Sequence, residues 1–479
     1  MSDSVSPTIA ANQPLPDDHP FDEARIASVA QELRSTGVEQ LMAVFVDVNG
    51  IPKAKATPIE AFEKLCKGAE LYTVGAVEGL GLAGPHEDEC ATLPDLDSLI
   101  IYPWDSSKAW LASSLYYHQA PYAGDPRNIF AAVADKAAAM GYSLKLGIEP
   151  EFYIFKEHPD TGEFEPITDS AFNGPNACYD VELTHRSDEF LDPFSKYLKA
   201  LDWGLYSFDQ ECGKGQHEFD FGYTDALQMC DRFIFFRHMV KQVAHSIGAV
   251  ATFMPKPFAN DFRSGAHFNM SLWRGDSNIF ERSAAGESGE IAERYGIDAS
   301  DTAYYFVGGL LKHAAAITAV TCSTYNSYQG LIAQGELADF SWAPVLQTYG
   351  NNNRSSMLRL PMNRPCVENR AVDMAVNPYL AAAIQLAAGL DGINNKIDPG
   401  NPFNNDLYQL NRTELKDAGI NVLPPTLLHA LEAFETDLIS EAAFGSFYKE
   451  VFLQHKRKEW DRCFYSVSSE QRDTWLTYI

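Results

Sequence analysis

The clearest hydrophobic pattern in the chain lies at residues 147–155, which read GIEPEFYIF. Its aromatic and β-branched residues predict a buried strand. Because side chains alternate between the two faces of a strand, Glu149 and Glu151 should point the same way, opposite Ile148 and Phe152. Like charges on one face of a buried strand repel each other. The pattern favours a divalent cation between the carboxylates; the alternative is a pair of surface glutamates on an edge strand.

Two later segments place further metal-binding side chains on strands. Glu211 enters a glycine-rich loop and Glu218 begins the next strand, so a hairpin would bring both to one end of a sheet. The GxG and lysine of this loop lack the spacing of a phosphate-binding loop. Residues 264–273 alternate, which places His267 on the face away from the core. A lone strand histidine is more often structural, but a sheet with four glutamates favours a ligand.

Arginines follow these carboxylates along the chain. Arg354 and Arg359 enter a predicted strand, where they could clamp a phosphate group. The alternative is that they form salt bridges with the glutamates. Glu368 and Arg370 lie two residues apart and should share one strand face. Residues 326–349 contain glycine and have weak periodicity, which predicts a lid or a binding loop.

Capping and turn residues mark other elements. Asn377-Pro378 predicts the start of an apolar helix, with asparagine as N-cap and proline in the first turn. Asp301 is predicted to cap a single helix that runs to about Thr321. Asn49-Gly50 predicts a two-residue hairpin turn between two strands.

The patterns before and after Gly124 differ. Helical spacing at 21–35 is followed by short strands and Gly/Pro-rich loops, which predict a small β-rich domain. A turn-rich joint then precedes the long strand that carries Glu149. We therefore predict three segments: a disordered leader at 1–20, an N-terminal domain at 21–124 and a larger C-terminal domain at 125–479.

Composition narrows the possible partners and compartment. The chain has 479 residues, 46% of them hydrophobic, and a formal net charge of −28. Nucleic acids and anionic membranes bind basic surfaces, so neither is expected as a partner. No apolar run is long enough for a transmembrane helix. The eight cysteines are scattered without a CxxC pair, which is typical of a reduced cytoplasmic protein without structural zinc.

Five ordered motifs resemble those of the glutamine synthetase family, and the resemblance covers nearly the whole chain from about Leu41 onward. They are EPEF at 149–152, the glutamate-to-GxGQxE hairpin at 211–218, SGAHFNMS at 264–271, NNRSSMLRLP at 352–361 and NPYL at 377–380. The C-terminal segment at 405–479 and the GNNNRS motif at 350–355 are most similar to those of the γ-glutamyl amide synthetases, which use amines in place of ammonia.

The resemblance implies an α+β fold. A small N-terminal β-grasp-like domain would precede a large catalytic domain with a curved antiparallel sheet and flanking helices. The N-terminal domain would pack beside the active site of a neighbouring subunit. The assembly would be a homo-oligomer of stacked rings, commonly a dodecamer.

The same resemblance implies roles for individual residues. One Mg²⁺ or Mn²⁺ would be held by Glu151, Glu211 and Glu218, and a second by Glu149, His267 and Glu368. Positions that match family contacts to ATP and the transferred phosphoryl group are Arg354, Arg359, Ser271, Trp273 and Tyr223. Positions that match the organic substrates are Arg263, Gly265, Gly330, Arg370 and Tyr72, of which Arg370 lies near the reacting carboxylate. Glu336 matches the flap glutamate that helps to deprotonate the attacking amine.

Departures from the family pattern fall on the organic-substrate positions. Gly330 stands where the family carries the arginine that grips the α-carboxylate of glutamate, and Arg263 stands where it usually has glycine. Asn269 replaces the second histidine of HxH, and Cys366 interrupts the pattern around Glu368. The aspartate that binds ammonium is absent near Tyr72.

The sequence therefore predicts an ATP-dependent carboxylate–amine ligase. It would form a γ-glutamyl amide through an acyl phosphate, with an alkyl or aromatic amine replacing ammonia and glutamate as the expected acid. Two alternatives remain: a glutamine synthetase that uses ammonia, and a non-catalytic member of the family with a structural role.

Overall fold

Two β-sheets organise the chain in the computed structural model, which describes residues 15, 19, 21–158, 160–168, 177–283, 289–332 and 342–478. The first sheet follows the order β2-β1-β7-β5-β4, with β3 paired to β1 and both β6 and β8 paired to β7. Its strands are β1 (Gln40–Val46), β2 (Pro52–Lys53), β3 (Ala56–Pro58), β4 (Leu71–Tyr72), β5 (Cys90–Pro94), β6 (Ile100–Tyr102), β7 (Asp105–Tyr117) and β8 (Ala120–Pro121).

The second sheet is larger and carries most of the predicted site residues. It follows the order β11-β12-β9-β15-β19-β18-β17, with β10, β13 and β14 paired to β9 and β16 paired to β15. Its strands are β9 (Ser143–Glu157), β10 (Phe164–Pro166), β11 (Ser207–Gln210), β12 (Gln216–Asp220), β13 (Thr224–Asp225), β14 (Val250–Thr252), β15 (Ala266–Arg274), β16 (Ser277–Asn278), β17 (Leu346–Asn351), β18 (Ser356–Leu360) and β19 (Val367–Asn369). Its pairs are antiparallel except β17 with β18.

Helices surround the sheets. The helices that precede β15 in the sequence are α1 (Glu23–Ser35), α2 (Phe62–Leu65), α3 (Pro126–Ala139), α4 (Val181–Arg186), α5 (Asp188–Ala200) and α6 (Ala226–Ser246). The others are α7 (Glu290–Tyr295), α8 (Asp301–Lys312), α9 (Ala314–Thr321), α10 (Ser327–Gly330), α11 (Pro378–Asn394), α12 (Arg412–Asp417), α13 (Leu427–Thr436), α14 (Leu438–Phe464) and α15 (Ser469–Trp475). No helix among the described residues combines the length and apolar character needed to cross a membrane.

Alternation along β9 sets the core beneath the site. Ile148, Phe152 and Ile154 are buried on one face, as predicted, and α6 packs against this strand. Burial of such side chains supplies about 1.5–3 kcal/mol each. The long apolar helix α11 packs against α3 and α8, and its predicted start is confirmed: the Asn377 side chain accepts hydrogen bonds from the first turn.

Two local predictions are wrong. The strand partners Val46 and Pro52 leave a loop longer than two residues, because the buried Asp47 carboxylate accepts hydrogen bonds from Asn49 N and Ile51 N. The predicted single helix after residue 301 is α8 followed by α9, with a break at His313.

The N-cap of α8 also differs from the prediction. Ser300 caps the helix, because its side chain accepts a hydrogen bond from Ala303 N, and Asp301 is the first helical residue. Asp301 instead accepts a hydrogen bond from Ile291 N at the start of α7.

The predicted mixed α and β architecture is confirmed, with a large curled sheet and flanking helices. The division at Gly124 stays a prediction. Most of the predicted leader at 1–20 lies outside the described residues. Leu15 and His19 are described, and they lie against Gly68 and the ring of Tyr116 of the first sheet.

Candidate active site

Strand register brings five predicted ligands to one region of the second sheet. His267 on β15 lies opposite Glu149 on β9, and Glu151 lies opposite Glu218 on β12. Glu368 lies on β19, the other neighbour of β15. Antiparallel partners have Cβ atoms about 4.5–5.5 Å apart. Residues separated by more than two hundred positions in sequence therefore become neighbours across three strand pairs.

His267 stands at the centre of the carboxylates. Its Nδ1 lies 3.4 Å from Glu149 Oε2 and 3.9 Å from Glu368 Oε1, and its Nε2 lies 3.6 Å from Glu151 Oε1. Glu149, His267 and Glu368 each offer one ligand atom within 4.8 Å of the other two. The structure thus brings together all three residues of one predicted cation set.

The second set, Glu151, Glu211 and Glu218, is crowded with negative charge. Burial raises the pKa of Glu218 well above its ordinary value, and the Glu151 and Glu149 carboxylates raise it further. Burial also raises the pKa of Glu151, against the attraction of His267, and the nearby Glu211 adds to the rise. Each shift has the cause expected for buried carboxylates that approach one another.

Glu149 has the opposite electrostatic environment. Burial acts to raise its pKa, but His267 and the Arg364 guanidinium outweigh burial and lower the pKa to about 2. Arg364 Nη2 lies 2.7 Å from Glu149 Oε1, and Asn269 Nδ2 donates to the same oxygen at 3.1 Å. Asn269, which replaces a histidine of the family motif, therefore positions Glu149.

Glu151 is held by a glycine and an amide. Its Oε2 accepts hydrogen bonds from Gly265 N at 2.7 Å and from Gln216 Nε2 at 3.2 Å. A Cβ at residue 265 would lie 2.6 Å from His267 Nε2 and 2.9 Å from Glu151 Oε1. Only glycine permits this close approach of backbone to the two ligands.

The donor set fits hard divalent cations. Five carboxylates and one imidazole converge, and Mg²⁺ and Mn²⁺ prefer oxygen ligands and accept imidazole. A cation would also compensate the like charges of this set, in which Glu151 raises the pKa of Glu218 and Glu211 raises the pKa of Glu151. Residues that fit such ions are Glu149, Glu151, Glu211, Glu218, His267 and Glu368.

Arg359 forms a salt bridge of the kind that the sequence left open, and Arg370 pairs with the same glutamate. Arg359 Nη1 lies 2.6 Å from Glu368 Oε2, and Arg370 Nη1 lies 3.1 Å from Glu368 Oε1. Glu368 is fully buried between them. Arg354 is exposed in the turn between β17 and β18. Arg359 and Arg370 therefore border the carboxylates from the β18–β19 side.

Two neighbouring aromatic rings lie on the β15 side of the site. The exposed ring of Tyr223 lies 6.2 Å from the ring of Trp273, and Trp273 Nε1 donates to Ser271 Oγ at 2.9 Å. Tyr223, Ser271 and Trp273, the predicted nucleotide contacts, are thus brought together. The exposed Tyr223 ring beside the half-buried Trp273 can stack against a planar base.

A second cluster, the arginine pocket, consists of Arg263, Gly330, Arg370 and Tyr408. A Cβ at residue 330 would lie 3.1 Å from Arg263 Cβ and 3.7 Å from Arg263 Nε. The Arg263 guanidinium donates to the carbonyl oxygens of Arg370 and Val372. Among the described residues, the buried Nε atoms of Arg263 and Arg370 have no hydrogen-bond partner.

Tyr408 lies beside both arginines of this pocket. Burial raises the pKa of the Tyr408 hydroxyl to about 12, against the attraction of Arg370 and Arg263. The hydroxyl donates to Ala343 O at 3.0 Å. Because Arg370 also contacts Glu368, the arginine pocket adjoins the cation ligands directly.

Two predicted residues are not placed with these clusters. Tyr72 lies on β4 of the first sheet, where its hydroxyl accepts a hydrogen bond from Lys55 N and its ring meets Phe45. Its predicted role concerns a neighbouring subunit and stays a prediction. Glu336 lies outside the described residues.

Three residues were missed by the sequence reasoning: Arg364, Gln216 and Tyr408. Gln216 lies inside the GxGQxE motif, so its position was a usable signal. Arg364 lies two residues before Cys366, in a turn that the strand pattern does not cover. Tyr408 comes from the C-terminal third of the chain, and its sequence context contains no motif that indicates a site.

Comparisons with known proteins match nearly the whole chain to one family. The family described as glutamine synthetase, catalytic domain, matches residues 123–475. The glutamate–methylamine ligase of Methyloversatilis universalis is 34% identical over 449 residues, which cover 94% of this chain and 98% of that protein. The glutamine synthetase of Pyrococcus abyssi is also 34% identical, over 87% of this chain and 89% of its own.

A solved structure supports the same relationship. A GmaS/ADP complex superimposes with a TM-score of 0.84 at 35% identity, over 93% of this chain and 99% of that chain. The structure of GmaS without ligand gives a TM-score of 0.83. Sequence and fold therefore agree over nearly the full length, and the chain belongs to the glutamine synthetase family.

Proposed function

We propose that this protein is an ATP-dependent ligase that joins the side-chain carboxylate of glutamate to an organic amine. The observation that carries the proposal is the contact between two clusters of opposite charge. The cation ligands meet the arginine pocket at Glu368, which pairs with Arg370 and lies 3.9 Å from His267. Such an arrangement can hold metal-bound phosphates and an anionic acid side by side.

The proposed mechanism has two steps, phosphoryl transfer and amine attack. Mg²⁺ or Mn²⁺, when bound, supplies charge neutralisation for the phosphates of ATP. Arg354 and Arg359 contact the transferred phosphoryl group, and Arg370 orients the carboxylate that receives it. The amine attacks the carbonyl carbon of the resulting acyl phosphate, the C–O bond to phosphate breaks and inorganic phosphate leaves, and Glu336 accepts the amine's proton.

Arg263 is proposed to bind the α-carboxylate of the acid. In this chain the family's arginine and glycine are exchanged between positions 330 and 263, and the structure places these positions in contact. The Arg263 side chain therefore lies beside the position where the family carries its arginine. Its unpartnered Nε supports a role in binding an anion.

The amine is proposed to be organic. No aspartate occurs near Tyr72, where the family's ammonium-binding carboxylate is expected, and a compact cation needs a nearby anion. The relative named glutamate–methylamine ligase supports an amine of this class. The equally similar relatives named glutamine synthetase make ammonia the competing substrate.

A panel of amines with ATP, Mg²⁺ and glutamate tests the proposal. Phosphate release should be faster with at least one alkyl or aromatic amine than with ammonia at equal concentration. If ammonia is the best substrate, the protein is a glutamine synthetase. If ATP is not consumed with any acid and amine, the ligase proposal fails and a structural role is favoured.

The oligomer and the compartment are also proposals. We propose a stacked-ring homo-oligomer, because the C-terminal segment exposes apolar side chains that a second copy could cover; these are Phe464, Tyr465, Val467, Trp475, Leu476 and Tyr478. All eight cysteines are thiols, which suits a reducing cytoplasm. A native mass measurement and its change after removal of residues 465–479 would test the ring assembly.

A further inference from the structure

Two cysteines flank Glu211 at the edge of the predicted cation site. Cys178 lies just before α4, and Cys212 lies in the loop after β11. Cys178 Sγ is 4.0 Å from Glu211 Oε2, and both sulfurs and a Glu211 oxygen lie within 4.8 Å of one another. All three side chains are half-buried, so an ion from solvent can reach them.

The backbone fixes this arrangement. Tyr179 N donates to Gln210 O at 2.8 Å, which holds the segment carrying Cys178 against the end of β11. Cys212 N donates to Glu211 Oε2, also at 2.8 Å, which turns that oxygen toward the sulfurs. The three donors are therefore oriented toward one point without any further change in the chain path.

The donors differ in chemical class from those of the predicted Mg²⁺ sites. Thiolate sulfur binds Zn²⁺ and other soft cations, whereas Mg²⁺ selects oxygen. Two sulfurs each about 2.3 Å from one Zn²⁺ lie roughly 3.8 Å apart in a tetrahedral site. Small side-chain rotations can reach that distance from the observed spacing, and a water molecule can complete the coordination.

We propose that Cys178, Glu211 and Cys212 form a site for a thiophilic divalent cation, of which Zn²⁺ is the type. The carboxyl groups of Asp209, Glu151 and Glu218 lie near Glu211, so a bound cation would relieve like-charge repulsion at this edge. The inference rests on the proposed function only in assigning Glu211 to the catalytic cation as well. Binding of the soft cation would commit Glu211 and inhibit the ligase.

Cadmium is the probe for this site. Cd²⁺ is added to the reduced full-length protein in saturating Mg²⁺, and the thiolate-to-cadmium absorption band in the ultraviolet is followed. One Cd²⁺ per chain should produce the band, and excess Mg²⁺ should not remove it because Mg²⁺ does not compete for sulfur. Cys178→Ser and Cys212→Ser should each lose the band, whereas Cys463→Ser on α14 should keep it.

The readout separates this inference from the ligase proposal. The absorption band needs no turnover, so it can appear in a protein that consumes no ATP. A thermal unfolding curve checks that each serine variant is folded. The proposal is overturned if wild type gives no band, or if the band survives in both Cys178→Ser and Cys212→Ser. Zn²⁺ should slow ATP consumption in wild type more than in Cys212→Ser.

Discussion

The cation ligands and the arginine pocket are adjacent regions of opposite charge, and each contains polar groups whose interactions within the protein are incomplete. In the first, buried carboxylates crowd one another, and the pKa of Glu218 is raised by burial and by its neighbours. In the second, two buried guanidinium groups keep Nε atoms without hydrogen-bond partners among the described residues. Glu368 connects the two regions, because it lies near His267 and also pairs with Arg370. Arg359 and Arg370 together balance the charge of Glu368.

The two regions also differ in how the sequence relates to the family. The motifs predict the family's residue at every cation-ligand position, whereas they predict an exchange of arginine and glycine between positions 263 and 330. Metal-bound phosphate is the part of the chemistry that all such ligases share. The neighbouring pocket determines which acid fits, so it can change while the cation ligands stay the same.

The largest expected effect comes from removing one cation ligand. Glu218→Gln preserves shape but removes a charge, so ATP consumption should fall roughly 100-fold or more. The same substitution removes repulsion among buried carboxylates. In a chelator, the variant should therefore unfold at a higher temperature than wild type. Steady-state ADP release and thermal unfolding measure the two effects.

Glu450→Gln, at an exposed position of α14, is the matched control and should leave both quantities unchanged. The opposite changes in activity and stability distinguish a functional cluster from a structural one. If Glu218→Gln lowered the unfolding temperature in chelator, the carboxylates would be stabilising each other through contacts that need no cation.

The next effect tests the arginine pocket. Arg263→Ala should raise KM for the acid roughly 10–100-fold, since a hydrogen bond to a charged group contributes about 1.5–3 kcal/mol. KM for ATP should change much less. The exchange variant Arg263→Gly with Gly330→Arg should recover part of the acid affinity, because the glycine at 263 vacates the space that the new side chain enters.

Arg237→Ala is the matched control for the loss of a buried arginine. Arg237 also donates to backbone carbonyls, those of Met374, Val376 and Gly50, but it does not line the arginine pocket. This variant should lose stability and keep the KM for the acid. A similar rise in KM in both variants would show that Arg263 acts only through folding.

The sequence predicted the cation region better than the arginine pocket for a physical reason. Period-two alternation fixes which side chains share a strand face, so Glu149, Glu151 and His267 could be assigned before their partners were known. Once the faces were assigned, only the order of neighbouring strands was needed to predict that these side chains meet. The facing of Ile148 and Phe152 follows the same rule and is confirmed.

The arginine pocket depends on contacts that no local pattern encodes. Arg263 follows an irregular loop, Gly330 ends a four-residue helix, and Tyr408 comes from a distant segment. The break at His313 was missed for a related reason. Its neighbours read as one continuous helix, and the interruption coincides with tertiary contacts to Asp437 and Asp391.

The smallest expected effect is a pH dependence of stability that arises outside the candidate site, at His313. His313 lies between Asp437, 2.8 Å from its Nδ1, and Asp391, 3.0 Å from its Nε2, with Lys312 also paired to Asp391. Burial acts to lower the pKa of His313, but hydrogen bonds to the two aspartates outweigh it and raise the pKa above its ordinary 6.5. A raised histidine pKa means that the folded state holds the proton more tightly than the unfolded state.

The stability from this cluster should therefore be fully present below pH 6.5 and be lost as pH rises through the folded-state pKa. The urea midpoint of wild type should fall over that range, and that of His313→Asn should fall less. His185→Asn, at an exposed histidine beside Asp188, should behave as wild type. If His313→Asn kept the full pH dependence, the loss would arise at other titratable groups and the His313 cluster would not be its cause.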